Sequence, residues 1–342
     1  MSACKVLLLC GGRSEEHDVS LSSARSVLKA GITGIEITPL VVDKNGTWLS
    51  LKQSIQLLDG QNLSVVDPDS KVRLDFGLLE NQQYDVIFPL FHGPYGEDGS
   101  IQGLLKLLNL PHVGSGTLGS SVGMDKIIMK QVFASCGLPQ VDFRTILSIN
   151  WRKNPEAVLV DLESLGMPVY VKPANLGSSI GISRVDTPKL LSSAIENALE
   201  HDRRVIVEQG LTGIQELEVG VLGNDEPSTS VVGEVSYTSD FYNYTSKYTD
   251  GLTNLIIPAP VSQKIATSCR QLALQAFQAI DCAGLARVDF FYDPTRCQIY
   301  VNEINTMPGF TDTSMYPKLW KASGLSYKTL VTNLINLAME PR

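Results

Sequence analysis

The chain has 342 residues, of which 43% are hydrophobic and 19% are charged. This composition is ordinary for a folded protein of enzyme size and excludes a disordered, collagen-like or coiled-coil chain. Aspartate and glutamate outnumber lysine and arginine by 36 to 28, which gives a net charge of −8. An acidic chain repels phosphate backbones and anionic lipid surfaces. We therefore expect no nucleic acid and no membrane among its partners.

The cysteines and the apolar runs bear on the cellular compartment of the protein. The six cysteines contain no Cys-x-x-Cys pair, and neither their spacing nor the chain length suits a disulfide-stapled secreted domain. The first apolar run, residues 6–10, is too short for the apolar segment of a signal peptide. No stretch approaches the ~18 consecutive apolar residues of a membrane span. These features predict a cytoplasmic protein with reduced thiols.

Short apolar runs rich in β-formers alternate with helical patterns in the first third of the chain. The runs are residues 6–10, 35–42 and 84–90, and the helical patterns are residues 21–30 and 100–108. This alternation predicts βαβ units and a parallel sheet.

A second block begins near Gly114. One helical pattern covers about 117–136 and ends at Gly137 and Pro139. Strands are predicted at 169–171, 181–185 and 204–208, with a helix between the last two. This order indicates a smaller mixed α+β domain.

The third block contains a long segment without periodicity, residues 238–253, which we interpret as a functional loop because unstructured stretches of this length are uncommon in compact domains. The predicted elements around it are strands at 216–222, 230–237, 285–292 and 298–305, a helix at 261–280 and two closing helices.

Three short motif matches do not predict function. Residues 114–119 fit Gly-x-Gly-x-x-Gly, but the preceding strand would be two residues long, so a tight turn is favoured. Residues 119–123 and 177–181 fit Gly-x-Ser-x-Gly, the nucleophile elbow of serine hydrolases. The first lies in a helical pattern and the second leads into a strand, whereas an elbow leads into a helix.

Lys172 ends a predicted strand just before the small residues 177–181. Small residues let consecutive backbone N–H groups approach an oxyanion, and the lysine adds a point charge. A phosphate-binding loop and a plain hairpin with a surface lysine remain equally good interpretations. A Walker-type phosphate loop is excluded because the chain has no Gly-x-x-x-x-Gly-Lys-Ser/Thr.

Polar residues alternate along the last two predicted strands. Arg287 and Asp289 share one face of the first strand, and Glu303 and Asn305 share one face of the second. Adjacent strands would bring these oxygens together, and Mg²⁺ prefers such hard ligands. We favour a metal site over the alternative, a structural ion pair.

Two glycine-rich loops follow predicted strands of the first block, at residues 11–16 and 92–99. The carboxyl ends of parallel strands are the usual place for a ligand. Each loop alone could be a turn with a capped helix. Together they present His92 and a carboxylate at one sheet edge.

Seven motifs in this order resemble those of the D-alanine:D-alanine ligases of the ATP-grasp superfamily. The motifs are found at 11–20, 92–99, 124–126, 172–181, 247–248, 287–289 and 303–309, and the resemblance runs from residue 5 to about 337. The resemblance implies a three-domain ATP-grasp fold that combines α/β and α+β layers. It comprises an N-terminal parallel-sheet domain at 1–114, a central ATP-grasp domain at 115–211 and a C-terminal ATP-grasp domain at 212–342 that carries the metal site.

The resemblance also implies an ATP site between the central and C-terminal domains. Residues matching those that contact ATP are Lys126, Lys172 and Ser179 at the phosphates, Glu208, Gln209 and Leu211 at the adenine, Glu216 at the ribose, Phe241 near the base and Lys247 at the transferred phosphoryl group. Two Mg²⁺ or Mn²⁺ ions would be bound by Asp289, Glu303 and Asn305.

The implied reaction joins two molecules of D-alanine through an acyl phosphate, for the synthesis of peptidoglycan. The residues implied at the substrates are Glu16, Val19 and His92 for the first D-alanine, Arg287 and Gly309 for the oxyanion, Ser314 for the second carboxylate, and Ser178 and Tyr248 in a hydrogen-bond group with Glu16. A homodimer is implied by resemblance alone.

Two alternatives remain open. In this family a tyrosine at the position of Tyr248 accompanies dipeptide formation, yet D-alanine:D-lactate and D-alanine:D-serine ligases share the ATP and metal residues. Asp312 and Thr313 depart from the pattern of some members, which bears on the second substrate. A non-catalytic nucleotide-binding protein of the same fold would have a broken metal set, whereas Asp289, Glu303 and Asn305 are all present.

Overall fold

A computed structural model describes residues 3–61, 83–177, 180–237 and 253–341. Its strands are β1 (Cys4–Gly11), β2 (Ile35–Val42), β3 (Val86–Pro89), β4 (Phe143–Leu147), β5 (Val169–Pro173), β6 (Ser183–Val185), β7 (Arg204–Gln209), β8 (Gln215–Gly223), β9 (Ser228–Tyr237), β10 (Thr253–Ile256), β11 (Gly284–Asp293) and β12 (Gln298–Asn305). Its α-helices are α1 (His17–Lys29), α2 (Leu51–Leu58), α3 (Ser100–Leu107), α4 (Thr117–Met124), α5 (Lys126–Ser135), α6 (Ser148–Lys153), α7 (Pro155–Leu162), α8 (Leu191–Leu199), α9 (Gln263–Ala279), α10 (Met315–Ala322) and α11 (Tyr327–Ala338).

The predicted parallel sheet is confirmed. Among the described strands its order is β2-β1-β3, and β1 pairs in parallel with both neighbours. Residues 6–11 of β1 are consecutively buried, as expected for a parallel strand covered on both faces. The carboxyl ends of β1 and β3 therefore open at the same edge, where residues 11–16 and 92–99 follow.

The second sheet is antiparallel, with the order β4-β7-β5-β6. Its apolar face packs on α6, α7 and α8 around the buried Trp151. Its other face carries Lys172 and Glu208, because both are displaced by one residue from the core positions of their strands.

The third sheet has the order β10-β9-β8-β11-β12 in the described part of the chain, and each neighbouring pair is antiparallel. One face packs against α9. On the opposite face α10 lies close to β8 and β9, since a Cβ at Gly220 would be 2.9 Å from Trp320 and one at Gly233 would be 2.8 Å from Leu319.

The prediction of one helix over 117–136 is wrong. The structure has two helices, α4 and α5, separated by Asp125 with φ −85° and ψ 98°. The Asp125 carboxylate accepts hydrogen bonds from the N–H groups of Ile127 and Ile128, both at 3.1 Å. This N-cap begins a second helix where hydrophobic periodicity alone predicts continuation.

The two closing helices join the third sheet to the first. Residues of α10 and α11 belong to the same buried cluster as residues of β1 and β3. Phe310, which follows β12, packs edge-on against Phe88 of β3 with 5.9 Å between ring centroids. This packing places the loop after β12 beside the carboxyl edge of the parallel sheet. Within the described ranges, no helix is both long and apolar enough to cross a membrane.

Candidate active site

The buried Ser20 ties the two loops at the edge of the parallel sheet together. Its hydroxyl donates to the carbonyl of Leu90 at 2.6 Å and accepts from the N–H of Gly11 at 2.8 Å. Nearby, the Ser14 hydroxyl donates to the carbonyl of His92 at 2.6 Å. The loops after β1 and β3 are therefore joined by hydrogen bonds at one edge of the sheet.

His92 is buried between the N-terminal and C-terminal parts of the chain. Its Nδ1 lies 2.9 Å from the carbonyl oxygen of Met307, and its Nε2 lies 3.0 Å from the hydroxyl of Ser23. A carbonyl only accepts, so Nδ1 carries the hydrogen and Nε2 accepts from Ser23 in the neutral ring. Burial lowers the pKa of His92, which favours this neutral form.

Glu97 holds the same loop from the other side. One carboxylate oxygen accepts from the N–H of Gly93 at 2.8 Å, and the other accepts from the N–H of Met307 at 3.2 Å. Burial and the nearby Glu16 raise the pKa of Glu97 to about 8. The Met307 residue is thus attached at its N–H by Glu97 and at its carbonyl by His92.

Glu16 lies between the edge of the parallel sheet and the loop that follows β5. A Cβ at Gly93 would be 2.6 Å from its Oε2, and a Cβ at Gly177 would be 3.0 Å from the same atom. The absence of a side chain at both glycines allows this approach. The structure therefore brings Glu16 beside the start of the small-residue loop that follows Lys172.

Three charged side chains from the second sheet and α5 form a buried cluster. Lys172 Nζ lies 2.6 Å from one Glu208 oxygen, and Lys130 Nζ lies 3.4 Å from the other. Burial alone would raise the pKa of Glu208, but the two lysines hold it at about 2. Burial opposes the charge of Lys172, yet Glu208 and Glu303 raise its pKa. Glu303 acts on both lysines as well, so the candidate contacts with an anionic ligand come from the individual ammonium groups and not from a net positive charge of the cluster.

Lys126 is at the first turn of α5 and faces the small-residue loop. Its Nζ donates to the carbonyl of Leu176 at 2.5 Å. Its backbone N–H donates to the carbonyl of Ala174 at 3.0 Å. Two contacts thus bring Lys126 to the segment between Lys172 and Gly177, as the predicted phosphate site requires.

The polar residues of β11 and β12 converge as strand alternation predicts. Asp289 lies opposite Glu303, and Arg287 lies opposite Asn305. Arg287 donates to both oxygens of Asp289, at 2.7 and 2.6 Å. Asn305 also donates to Asp289, at 3.0 Å. Buried beside these carboxylates, Arg287 has a pKa far above its ordinary value because Asp289 and Glu218 outweigh the effect of burial.

Two carboxylates and one amide are the candidate metal ligands on these strands. Among the described residues, no group of three or more His, Cys, Asp or Glu side chains is arranged to hold a metal ion. The oxygens of Asp289, Glu303 and Asn305 nevertheless fit Mg²⁺, which is often bound by one or two carboxylates together with substrate phosphates. Arg287 also forms an ion pair with Asp289. The structural ion pair that the sequence left as the alternative is therefore present at the same place as the candidate metal ligands.

Other predicted residues have these positions. Gly309 is two residues after Met307 in the sequence, and a Cβ at Gly309 would be 3.3 Å from Ser314 Oγ. Gln209 donates to the carbonyl of Leu165 at 3.4 Å. Val19, Leu211 and Glu216 are half-buried. Five predicted residues lie outside the described ranges, namely Ser178, Ser179, Phe241, Lys247 and Tyr248, as does most of the predicted functional loop.

Sequence reasoning missed four residues that the structure connects to the site: Ser23, Glu97, Lys130 and Glu218. Glu218 Oε2 lies 2.9 Å from Arg287 Nε. Glu218 could have been found by strand alternation, since it lies two residues after Glu216 on β8 and so faces the same side of the sheet. Lys130 follows Lys126 by one helical turn, which places both on one face of α5.

The chain matches the models of one protein family over most of its length. A model described as D-ala D-ala ligase N-terminus matches residues 5–115, and one described as D-ala D-ala ligase C-terminus matches residues 132–336. The chain is 50% identical over 341 residues to a D-alanine–D-alanine ligase of Deinococcus radiodurans, covering 99% of both chains. It is 46% identical to one of Bacillus velezensis, covering 96% of both.

Solved structures show the same likeness. The VanG D-Ala:D-Ser ligase of Enterococcus faecalis superposes with a TM-score of 0.85 at 33% identity, over 98% of this chain and 99% of that one. The D-alanine-D-alanine ligase of Coxiella burnetii superposes with a TM-score of 0.82 at 32% identity, over 99% and 94%. The predicted ATP-grasp fold is thereby confirmed. The chain belongs to the D-alanine–D-alanine ligase family.

Proposed function

We propose that the protein joins two molecules of D-alanine to D-alanyl-D-alanine, the dipeptide precursor of peptidoglycan, with the conversion of ATP to ADP and phosphate. The observation that carries this proposal is the contact of His92 with Met307, two residues beyond Asn305. This contact connects two parts of the proposed site. One is the sheet edge that would bind an amino acid, and the other is the strand that would bind metal and phosphate. A substrate carboxylate held at this junction would face the strand that carries the candidate metal ligands.

ATP would lie between the second and third sheets. The ammonium groups of Lys172 and Lys130 beside Glu208 support phosphate binding there, because an ammonium group makes charge-assisted hydrogen bonds with phosphate oxygens. The proposed contacts are Lys126, Lys172, Ser179 and Lys247 with the phosphates, Glu208, Gln209, Leu211 and Phe241 with the base, and Glu216 with the ribose.

Two Mg²⁺ or Mn²⁺ ions would be held by Asp289, Glu303 and Asn305. When bound, they would neutralise the charge of the phosphates during transfer. Asp289 is held by Arg287 in this structure. Glu218 contacts Arg287 as well, so the guanidinium keeps one carboxylate partner if Asp289 turns to a metal.

The first D-alanine would bind at the edge of the parallel sheet. Glu16 offers a carboxylate for its ammonium group, and Val19 and His92 line the position of the rest of the molecule. The pKa of His92 is lowered, so we expect a neutral ring that orients its neighbours by hydrogen bonds. Ser178 and Tyr248 would connect Glu16 to the loop over the site.

The reaction has two steps. A carboxylate is a poor acyl donor because an oxide would have to leave. An oxygen of the first D-alanine carboxylate attacks the γ-phosphorus, the bond from this phosphorus to ADP breaks, and D-alanyl phosphate forms. The neutral amine of the second D-alanine then attacks the acyl carbon, phosphate leaves with its bonding electron pair, and the proton lost from the nitrogen goes to the departing phosphate.

The second step develops negative charge on the acyl oxygen. Arg287 and the N–H of Gly309 are the proposed donors to this oxyanion, and Ser314 would bind the carboxylate of the second D-alanine. Preorganised donors of this kind each contribute about 10²–10³ in kcat. Excluding water protects the acyl phosphate from hydrolysis.

Cytoplasmic location and a homodimeric state belong to the same proposal, as do domain bounds of 1–114, 115–211 and 212–342. Size-exclusion chromatography with light scattering tests the dimer.

The direct test is release of ADP from ATP and Mg²⁺, with products identified by mass. We expect D-alanyl-D-alanine from D-alanine alone and no release with L-alanine. Competition of D-alanine with D-lactate or D-serine tests the alternative activities. ATP binding without release on D-alanine would contradict the substrate assignment and leave the fold intact.

A further inference from the structure

Ser23 lies on α1, far in the sequence from the predicted ATP and metal residues, yet it contacts the loop that follows β12. We propose that Ser23 is a positioning residue for the second step of the reaction, because it fixes the peptide group that presents the Gly309 N–H to the oxyanion. This inference rests on the proposed function.

The Ser23 side chain is fully buried and makes two hydrogen bonds to distant segments. Its Oγ accepts from the N–H of Phe310 at 3.2 Å. The same hydroxyl donates to Nε2 of His92 at 3.0 Å. Its partners are 287 and 69 residues away in the sequence, so only the tertiary fold brings the three groups together.

These contacts hold both sides of the peptide that carries the Gly309 N–H. Glu97 accepts from the Met307 N–H, and His92 donates to the Met307 carbonyl. Ser23 then holds the next peptide after Gly309 through the N–H of Phe310. The peptide between Pro308 and Gly309 is therefore fixed on both sides by groups of the N-terminal part of the chain, while its own N–H is not needed for these bonds.

Ser23 connects Phe310 to His92 in a chain of hydrogen bonds that all run in one direction. The Phe310 N–H donates to Ser23, Ser23 donates to His92, and His92 donates to the Met307 carbonyl. Without the hydroxyl, a buried N–H and a buried ring nitrogen lose their common partner, and such groups cost free energy when left unpaired. We expect the segment from Met307 to Phe310 to shift, and small displacements of a catalytic group can cost about 10²-fold in rate.

The test compares Ser23→Ala with Ser22→Ala. Ser22 is the adjacent residue on α1, is exposed, and donates only to the carbonyl of Asp18 one turn earlier. Two quantities are measured on the full chain. Dipeptide formation reports the whole reaction. Exchange of labelled oxygen between the β,γ-bridge and the β-nonbridge positions of ATP, in the presence of D-alanine, reports the first step.

We expect Ser23→Ala to lower the kcat of dipeptide formation by about 10–100-fold and to leave the oxygen exchange within a few-fold of the parent. The ratio of exchange to dipeptide formation then rises. Ser22→Ala leaves both rates unchanged. Ser23→Cys keeps a small donor and acceptor at the same place and gives an intermediate loss, and it provides the same comparison if Ser23→Ala does not fold.

Two results would overturn the inference while the proposed function stands. One is a dipeptide rate for Ser23→Ala within twofold of that for Ser22→Ala. The other is an equal loss of both rates, which indicates general damage to the first substrate site. If the unmodified chain shows neither exchange nor dipeptide with D-alanine, the proposed function itself fails, and this inference fails with it.

Discussion

The buried cluster around Glu208 gives a prediction about stability. Both carboxylate oxygens of Glu208 face lysines, Lys172 at 2.6 Å and Lys130 at 3.4 Å. In Glu208→Gln, two buried ammonium groups lose their counter-charge. In Lys130→Met, Glu208 keeps its closer partner, and an apolar chain of similar length replaces the buried one.

The expected cost follows from the pKa of Glu208, which falls from 4.5 to about 2 on folding because of the two lysines. A fall of about 2.5 in pKa corresponds to about 3 kcal/mol. Removing one partner from a buried charge pair costs about 3–5 kcal/mol in other proteins. We therefore expect Glu208→Gln to lose about 3 kcal/mol and Lys130→Met to lose less, because Glu208 keeps Lys172 at 2.6 Å and burial by itself lowers the pKa of Lys130.

Native-state hydrogen exchange followed by mass spectrometry measures this cost locally, in peptides that contain β5 and β7. A loss of about 3 kcal/mol accelerates exchange through opening by about a hundredfold. Because the folded pKa of Glu208 lies below the unfolded one, its contribution is complete above about pH 4.5. It disappears as the pH falls from there to about 2. Exchange in Glu208→Gln no faster than in Lys130→Met at pH 7 would refute this reasoning.

Three further predictions concern the site. In the parent, the raised pKa of Glu97 stabilises the folded protein fully below about pH 4.5, and this stabilisation is lost as the pH rises to about 8. Between these two pH values the Tm of Glu97→Gln should therefore rise relative to the Tm of the parent. A difference in Tm that does not change with pH would contradict the assigned pKa. Gly93→Ala should raise the KM for D-alanine at least about tenfold, because its Cβ would be 2.6 Å from Glu16 Oε2. Gly137→Ala is the matched control, since its φ of +73° is close to the +74° of Gly93, but among the described residues beyond its chain neighbours no heavy atom lies within 4 Å of the added Cβ. Equal KM values in the two variants would exclude a steric role for Gly93. Glu303→Gln should lower turnover by about a hundredfold or more and largely spare ATP binding measured by calorimetry, and turnover within a few-fold of the parent would remove Glu303 from the metal site.

Local chemistry made much of the fold predictable. Alternation with a period of two places Asp289 and Glu303 on the face that they share in the structure. The position of Lys172 at a strand end before small residues was likewise evident. The break at Asp125 was not predicted, because an aspartate inside an apolar pattern can be either a solvated side chain or an N-cap, and only its hydrogen bonds decide which.

Local sequence patterns were enough to predict the order of most strands and helices, the motifs and the residue types available for chemistry, since these depend on neighbours a few residues apart. The tertiary structure alone decided what those residues contact. Ser23 meets Phe310 across 287 residues, Glu97 meets Met307 across 210, and Lys130 meets Glu208 on another element. No local pattern encodes these pairs, because each depends on how the sheets pack against one another, and that packing is set by apolar surfaces buried far along the chain.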